Sequence, residues 1–597
     1  MTATPSTNPT LAHRTGGFDS LAAGLDYAAT GRTGCNFFSA RGHLEQTLPY
    51  AELREGAVDL ALRLGSLGLA RGTRIAVVAD TTPDFLIFFF ACQYAGLVPV
   101  PLPLSVNFGG RAAYEERLSG MIAAAGAKVA VASADLIEPL RNAAALSPAS
   151  MVGTHEDFRN LPAVGGELRP LSTDEPCYIQ FSSGSTSFPR GVLVSQRALA
   201  SNAAAIARHG LQLTPEDRCV SWLPLYHDMG LVGCCLTPVM TQTSIDYIPT
   251  TGFARRPLTW LRVLSEYGGT ISFSPTFGYE LCVRRAANRA DETFDLSRWR
   301  VAGIGGEMIR ARALDQFADR FASSGFDQRA FVPSYGLAEA TLAVTFADLD
   351  QGLRIDWVDC GPAFERGRKA LAVVPKFGAG AARTRPFAIC GRPMPGYAIE
   401  IRNDAGDALP ERTVGRVCLQ GPSLMTGYFR DLQATRRVTT ADGWLDTGDM
   451  GYLVDGELVI TGRTKDLIIF SGRNIWPQDL EWAVERLDGV RQGEVAAFDV
   501  TDDEDRERVV LVVECRVNDP ASRQALRHAI KATVQKVASI ECEVVLAAPG
   551  SLTFTTSGKL SRAAAKAHYL DGSITDVATA LDERVEDETM EVYAVAS

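Results

Sequence analysis

No C-x-x-C pair occurs among the twelve cysteines of this 597-residue chain, and Cys234-Cys235 are merely adjacent. That spacing suggests neither a zinc knuckle nor a disulfide framework and fits a reducing cytoplasm. Positive charge is in deficit: 59 Lys+Arg stand against 70 Asp+Glu, a formal charge of −11. This is the wrong sign for a protein that neutralises many backbone phosphates, so no nucleic-acid partner is expected. The N-terminal MTATPSTNPTLAHRTGG has no basic region followed by an apolar run; it reads as a frayed leader, with no secretory signal. The longest greasy stretch, Phe85 to Leu104, has roughly the length of a membrane span. Gln93, Gly96 and the prolines Pro99, Pro101 and Pro103 would break a spanning helix. A buried helix followed by a buried strand is expected there, and no integral membrane segment.

Familiar catalytic fingerprints are missing as well. Thr553 stands where the first Gly of a Walker A pattern ending at Gly558-Lys559 should be, and Leu560 replaces its Ser/Thr. Gly303-Ile304-Gly305 needs a glycine at position 308 to complete a dinucleotide fingerprint, and Met308 is there. No G-x-S-x-G is present for a hydrolase elbow. A nucleotide, if bound, is held some other way.

What is there is 46% hydrophobic and 22% charged, the mix of a globular protein with length for several packing units. From Tyr50 to about Ala134, helical apolar spacing alternates with short β-branched runs, which predicts parallel sheets covered by helices. Residues 147–176 are polar and turn-rich and read as a linker. Strand and helix signals resume at CYIQFSS and run to about Thr345; residues 346–385 interrupt them and read as an insertion. Closely spaced short strands such as RVCLQG and GELVITGR then predict a β-rich subdomain. The fold class expected is therefore α/β: a large domain over residues 1–464, and a small α+β domain over 465–570. The acidic residues 571–597 lack a core pattern and read as a disordered tail.

The stretch Ser182-Ser183-Gly184-Ser185-Thr186-Ser187-Phe188-Pro189-Arg190-Gly191 follows the apolar strand CYIQF. Hydroxyls and glycine-freed N–H groups at a strand end make an anion cradle that a triphosphate would fit. Composition alone favours a flexible Ser/Gly loop instead, and the residue order reverses that preference. Its residue order resembles the T-S-G-S-T-G-x-P-K-G phosphate loop of the adenylate-forming enzymes: acyl-CoA synthetases, nonribosomal-peptide adenylation domains and luciferases. Ser187 and Arg190 replace the usual Gly and Lys; Arg keeps the charge but presents a planar fork.

The resemblance recurs in order from about Tyr50 to Arg562. Ser334-Tyr335-Gly336-Leu337-Ala338-Glu339 is similar to the family element in which Tyr335 would stack on adenine and Glu339 would ligate Mg²⁺. Gly305-Gly306-Glu307 matches the element lining the other side of adenine, with Ile304 where acyl-AMP ligases usually have Asn. Asp449 and Arg463 match the ribose acceptor and donor, and Lys465 falls at the interdomain hinge. Lys559, after Thr556-Ser557-Gly558, looks like the mobile catalytic lysine, a point cation worth most when a carboxylate meets the α-phosphate. Because Lys559 rides on the small domain, that domain must move during the cycle.

Within the superfamily, Trp222-Leu223-Pro224-Leu225-Tyr226-His227-Asp228-Met229-Gly230-Leu231 resembles the fatty acyl-AMP ligases, with His227 at the mouth of the acyl pocket. The insertion before ICGRPMPGY resembles the same branch, where such an insert is associated with restricting the small-domain movement that CoA use requires. An apolar pocket around Phe273 to Tyr279 would suit an alkyl chain, with plain core packing an equal alternative for each aromatic there. The resemblance implies a cytoplasmic enzyme using ATP and Mg²⁺, with Lys559, Glu339, Thr186 and His227 as its catalytic set. It would join a fatty acid to AMP with release of pyrophosphate. Delivery would be to the phosphopantetheine thiol of an acyl carrier protein, or of a polyketide or nonribosomal-peptide carrier domain. The alternatives are a long- or medium-chain fatty acyl-CoA synthetase and a non-enzymatic scaffold descended from such an enzyme.

Overall fold

The computed structural model describes residues 11–104, 110–182, 189–287, 293–360, 364, 368–373, 384–470, 473–501, 507–555 and 559–577. Helices Tyr50–Leu64, Pro83–Ala95 and Arg111–Ala125 alternate with strands Arg74–Val78, Val98–Leu102 and Val129–Ala132. These strands pair in parallel. The Phe85 run behaves as its sequence requires. Thr82 caps the Pro83–Ala95 helix by accepting from the Phe85 N–H, Pro83 occupies the first turn, and Gly96 ends it at φ +71°. The strand Val98–Leu102 follows at once and is buried throughout. Among the described residues no helix is long and apolar enough to cross a membrane.

A nine-stranded sheet forms the second layer. Six neighbouring strands in it run parallel: Phe331–Gly336, Val301–Ile304, Ile271–Ser274, Arg218–Ser221, Ser244–Tyr247 and Gly34–Phe38. The β-rich subdomain is an antiparallel sheet of Ala398–Arg402, Gly415–Gln420, Leu445–Val454 and Glu457–Arg463. Within the insertion, Ile355–Asp359 and Thr384–Ala388 pair as a two-stranded ribbon.

The small unit has its own two-faced sheet. Val495, Ala497, Val509, Leu511 and Val513 point into one core under the helices Pro477–Val484 and Pro520–Ala538. Their neighbours Ala496, Phe498, Val500, Val510 and Val512 fill a second core with Ala565 and Tyr569 of the helix Arg562–Leu570. This is period-two alternation with both faces covered.

Three sequence expectations are corrected. Residues 147–176 are more than a linker: Met151–Thr154 adds a fourth parallel strand beside Val129–Ala132, and the helix His155–Arg159 follows, closed by a Thr154–Asp157 capping box. The leader is docked from Ala12 onward, with Tyr27 donating to the Ala12 carbonyl at 2.6 Å and the Arg14 N–H donating to Gln242 at 2.9 Å. Residues expected to open the acidic tail are docked as far as Val577: Arg527 binds Asp576 at 2.7 Å and the Val577 N–H donates to the Leu546 carbonyl. Residues 1–10 and 578–597 lie outside the described set.

His155 gives the fold a pH signature. Its ring packs edge-on to Phe88 at 5.6 Å, with both nitrogens buried and making no hydrogen bond among the described residues. Burial pushes its pKa down to about 4 from 6.5. Between those values the unfolded chain binds a proton that the folded chain refuses, so stability falls as pH drops below about 6.5. At pH 5 the loss is about 2 kcal/mol. The thermal midpoint of His155→Leu should therefore fall less between pH 7 and pH 5 than that of the wild type; equal slopes would refute this.

Candidate active site

The crevice opens at the carboxyl ends of two adjacent parallel strands, where ligands bind in open α/β sheets. Gly305-Gly306-Glu307 leaves Val301–Ile304, and Ser334-Tyr335-Gly336 ends Phe331–Gly336. The Ser334 hydroxyl donates to the Ile304 carbonyl at 3.1 Å. A Cβ on Gly305 would lie 3.0 Å from the Ser334 oxygen, and one on Gly336 would lie 1.8 Å from the Leu342 carbonyl oxygen. Glycine is obligatory at Gly336.

Tyr335, Asp449 and Arg463 come together from separate elements. Asp449 and Arg463 face each other across antiparallel strands. The Asp449 carboxylate accepts from the Tyr335 hydroxyl at 2.7 Å and from Arg463 Nε at 3.2 Å. The charge of Asp449 raises the Arg463 pKa, and burial, with Asp449 next, pushes the Tyr335 phenol up. The result is a buried carboxylate held open to further donors.

Glu339 sits in a short turn between Leu337 and Thr341. Burial pushes its carboxyl pKa up, against a hydrogen bond donated by the Tyr428 hydroxyl at 2.8 Å. Two residues on, Thr341 has φ +70° and ψ −56°, and the Leu342 N–H donates to the Ala340 carbonyl at 2.9 Å. This is a γ-turn at positive φ on a β-branched residue, a strain of about 1–3 kcal/mol. Ser182 and Arg190 are described: the Ser182 N–H donates to the Arg190 carbonyl at 2.9 Å, and the Arg190 guanidinium lies over the Tyr428 ring at 5.3 Å. Ser183, Gly184, Ser185 and Thr186 lie outside the described residues.

Lys559 reaches this crevice from the small unit. Its carbonyl accepts from the Thr555 N–H at 2.7 Å and its own N–H donates to the Thr555 hydroxyl at 3.2 Å. Its Nζ lies 3.9 Å from where a Gly306 Cβ would be, and Gly306 itself has φ +81°. Burial lowers the Lys559 pKa and Arg463 adds to it, while Asp228, Glu307 and Asp449 oppose. His227 is pushed down to about 3, by burial first and then by Lys559 and Arg117, so its imidazole is neutral. The Glu307 carboxylate accepts from the Phe277 N–H at 3.0 Å. It therefore caps the helix Thr276–Ala286, where Pro275 offers no capping side chain.

Two further residues escaped the sequence reading as members of the site. Tyr428 carries no spacing signal, and Asp228 was visible only inside a longer motif. The acyl-pocket expectation is also narrowed. Tyr279 is wholly buried, its hydroxyl donates to the Gly303 carbonyl at 3.0 Å, and its ring packs against Trp260, Phe317 and Phe331. It belongs to the core, whereas Phe273 and Phe277 remain partly exposed.

Lys465 lies in the turn Thr464–Asp466, between Arg463 and the Asp466–Arg562 ion pair at 2.7 Å. Beyond it the two units are tied by Arg310–Glu485 at 2.9 Å and Arg385–Asp479 at 2.9 Å. The guanidinium groups of Arg310 and Arg385 lie 5.2 and 5.8 Å from the centroid of the Trp482 ring. Arg385 belongs to the insertion ribbon.

Comparison with known proteins places these features in context. The model of the family described as AMP-binding enzyme matches residues 32–429. A protein of Caulobacter vibrioides (strain NA1000 / CB15N) bearing an acyl-CoA synthetase name is 48% identical over 575 residues, covering 95% of this chain and 99% of its own. The medium-chain-fatty-acid–[acyl-carrier-protein] ligase JamA of Moorena producens (strain JHB) is 29% identical, covering 88% and 90%. A solved structure from structural and functional studies of fatty acyl-adenylate ligases from E. coli and L. pneumophila superimposes with a TM-score of 0.89. It is 44% identical and covers 94% of this chain and 100% of that one.

Proposed function

Because the chain belongs to the AMP-binding enzyme family, we propose that it joins a fatty acid to AMP and passes the acyl group to the phosphopantetheine thiol of a carrier protein. The observation that carries the reading is the meeting of Lys559 from the small unit with Asp449, Arg463 and Tyr335 at one strand-end crevice. In the first step a carboxylate oxygen of the fatty acid attacks the α-phosphorus of ATP, and the bond to pyrophosphate breaks. Lys559 bridges the two anions and gains most as they meet. Asp449 and Arg463 hold the ribose, and Tyr335 and Gly305-Gly306 flank the base. Neutral His227 stands beside the reacting carboxylate without adding charge. In the second step the thiol attacks the acyl carbonyl, and AMP leaves.

Glu339 fits a divalent cation: it is a half-buried carboxylate of the hard-oxygen type such ions take, and Mg²⁺ commonly rests on one or two carboxylates plus substrate phosphates. Bound there, Mg²⁺ would neutralise phosphate charge. The solved relative from fatty acyl-adenylate ligase work and the carrier-protein ligase JamA support the acyl and acceptor assignments. The hold of the insertion's Arg385 on Asp479 and Trp482 supports restricted small-unit movement, and hence a carrier rather than CoA. The enzyme with ATP, a fatty acid and either CoA or a holo carrier protein is expected to load the carrier with little acyl-CoA. Abundant acyl-CoA turnover would favour the synthetase reading instead.

A further inference from the structure

The Glu339 turn and the strand leaving Arg190 are far apart in sequence, and one short segment joins them. Its main chain is sewn to that strand: Gly427 pairs with Leu193 and Tyr428 with Val192, and the Phe429 N–H donates to the Gly191 carbonyl at 2.7 Å. On its other side the segment grips the strained turn. The Met425 N–H donates to the Glu339 carbonyl at 2.8 Å, the Ser423 hydroxyl donates to the Ala340 carbonyl at 2.8 Å, and the Thr341 hydroxyl donates to the Ser423 carbonyl at 2.7 Å. These bonds hold Thr341 in a backbone conformation that a β-branched residue does not adopt unaided.

Tyr428 completes the bridge with its side chain. It is buried, its hydroxyl donates to Glu339 Oε1 at 2.8 Å, and its ring face receives the Arg190 guanidinium. One phenol thus touches both the carboxylate suited to a divalent cation and the cation flanking the Ser/Gly stretch. Its backbone is fixed in turn, because the Tyr428 N–H donates to the Thr435 hydroxyl at 2.9 Å.

We propose that Tyr428 is a positioning residue that sets the Glu339 carboxylate against Arg190, so that metal and triphosphate are received in one geometry. The proposal rests on the adenylate-forming reading. Tyr428 spends its one donor on Glu339 Oε1, and the carboxylate keeps its second oxygen for a cation. Loss of the hydroxyl frees the carboxylate to rotate and removes the phenol's hydrogen bond with Arg190, while the ring, its packing and the guanidinium over its face persist.

Tyr428→Phe is the test, read by binding as well as by turnover. AMP binding in EDTA involves no metal and no β- or γ-phosphate, and should stay within twofold of wild type. Binding of a non-hydrolysable ATP analogue with Mg²⁺ should weaken by about tenfold, the scale of a hydrogen bond to a charged group. The Mg²⁺ concentration for half-maximal pyrophosphate exchange should rise with it. Wild-type affinity for the Mg²⁺-analogue complex would overturn the proposal, and so would equal weakening of AMP and analogue, which marks a general structural role. The acyl assignment is judged separately: absence of fatty-acid-dependent exchange in the wild type would refute that reading and leave the binding comparison interpretable.

Discussion

Lys559→Ala should lower fatty-acid-dependent exchange of pyrophosphate into ATP by about 10²-fold or more, the scale of losing one preorganised transition-state donor. The side chain sits where burial and Arg463 disfavour its charge and where Asp228, Glu307 and Asp449 restore it. An ammonium held in that balance is poised for added negative charge, which arrives when carboxylate and α-phosphate meet. Removing it relieves a desolvation cost in the free enzyme, so thermal stability should stay level or rise while the rate falls. Arginine is a poor substitute, since a planar fork cannot take the place of a compact ammonium. Exchange within threefold of wild type in Lys559→Ala would sink the assignment.

Asp449→Ala should weaken AMP binding by about 10²-fold or more, from losing charge-assisted hydrogen bonds worth roughly 1.5–3 kcal/mol each. Asp449 now organises its neighbours: it accepts from Tyr335 and from Arg463. Without it, Arg463 loses the charge that most raises its pKa, and the Tyr335 hydroxyl loses its acceptor. In the proposed site the nucleotide would therefore lose its ribose acceptor and the alignment of its aromatic plate together. Titration with AMP in EDTA isolates this from metal and acyl effects, and the KM for fatty acid should be unaffected. An AMP affinity within twofold of wild type would remove Asp449 from the ribose site.

Much of this was legible because each element announces itself locally. The β-branched runs and helical spacing before Ala134 give parallel strands, and the Gly-rich ends of Val301–Ile304 and Phe331–Gly336 mark the crevice. Asp449, Arg463 and Lys559 are unremarkable charges taken singly; their order along the chain joined them, and strand pairing then set Asp449 opposite Arg463. What stayed hidden depends on contacts between distant segments. Nothing near Tyr428 says that its hydroxyl will meet Glu339, or that Glu307 will accept from the N–H of Phe277, thirty positions earlier, and cap its helix. The positive φ of Thr341 is likewise imposed by Ser423 and Leu342 rather than by its own preference. The Thr154–Asp157 box is a three-residue spacing set in polar, turn-rich composition that by itself reads as a linker.

Trp482 has an optical consequence. Its ring belongs to the small unit, yet the cations over it, Arg310 and Arg385, belong to the large one. With the hinge we propose at Lys465, movement of the small unit would exchange guanidinium for water at the indole, and its emission would change with that surrounding. The difference in fluorescence between wild type and Trp482→Phe would then gauge that movement in unlabelled enzyme, and in stopped flow would time it against each half of the proposed cycle.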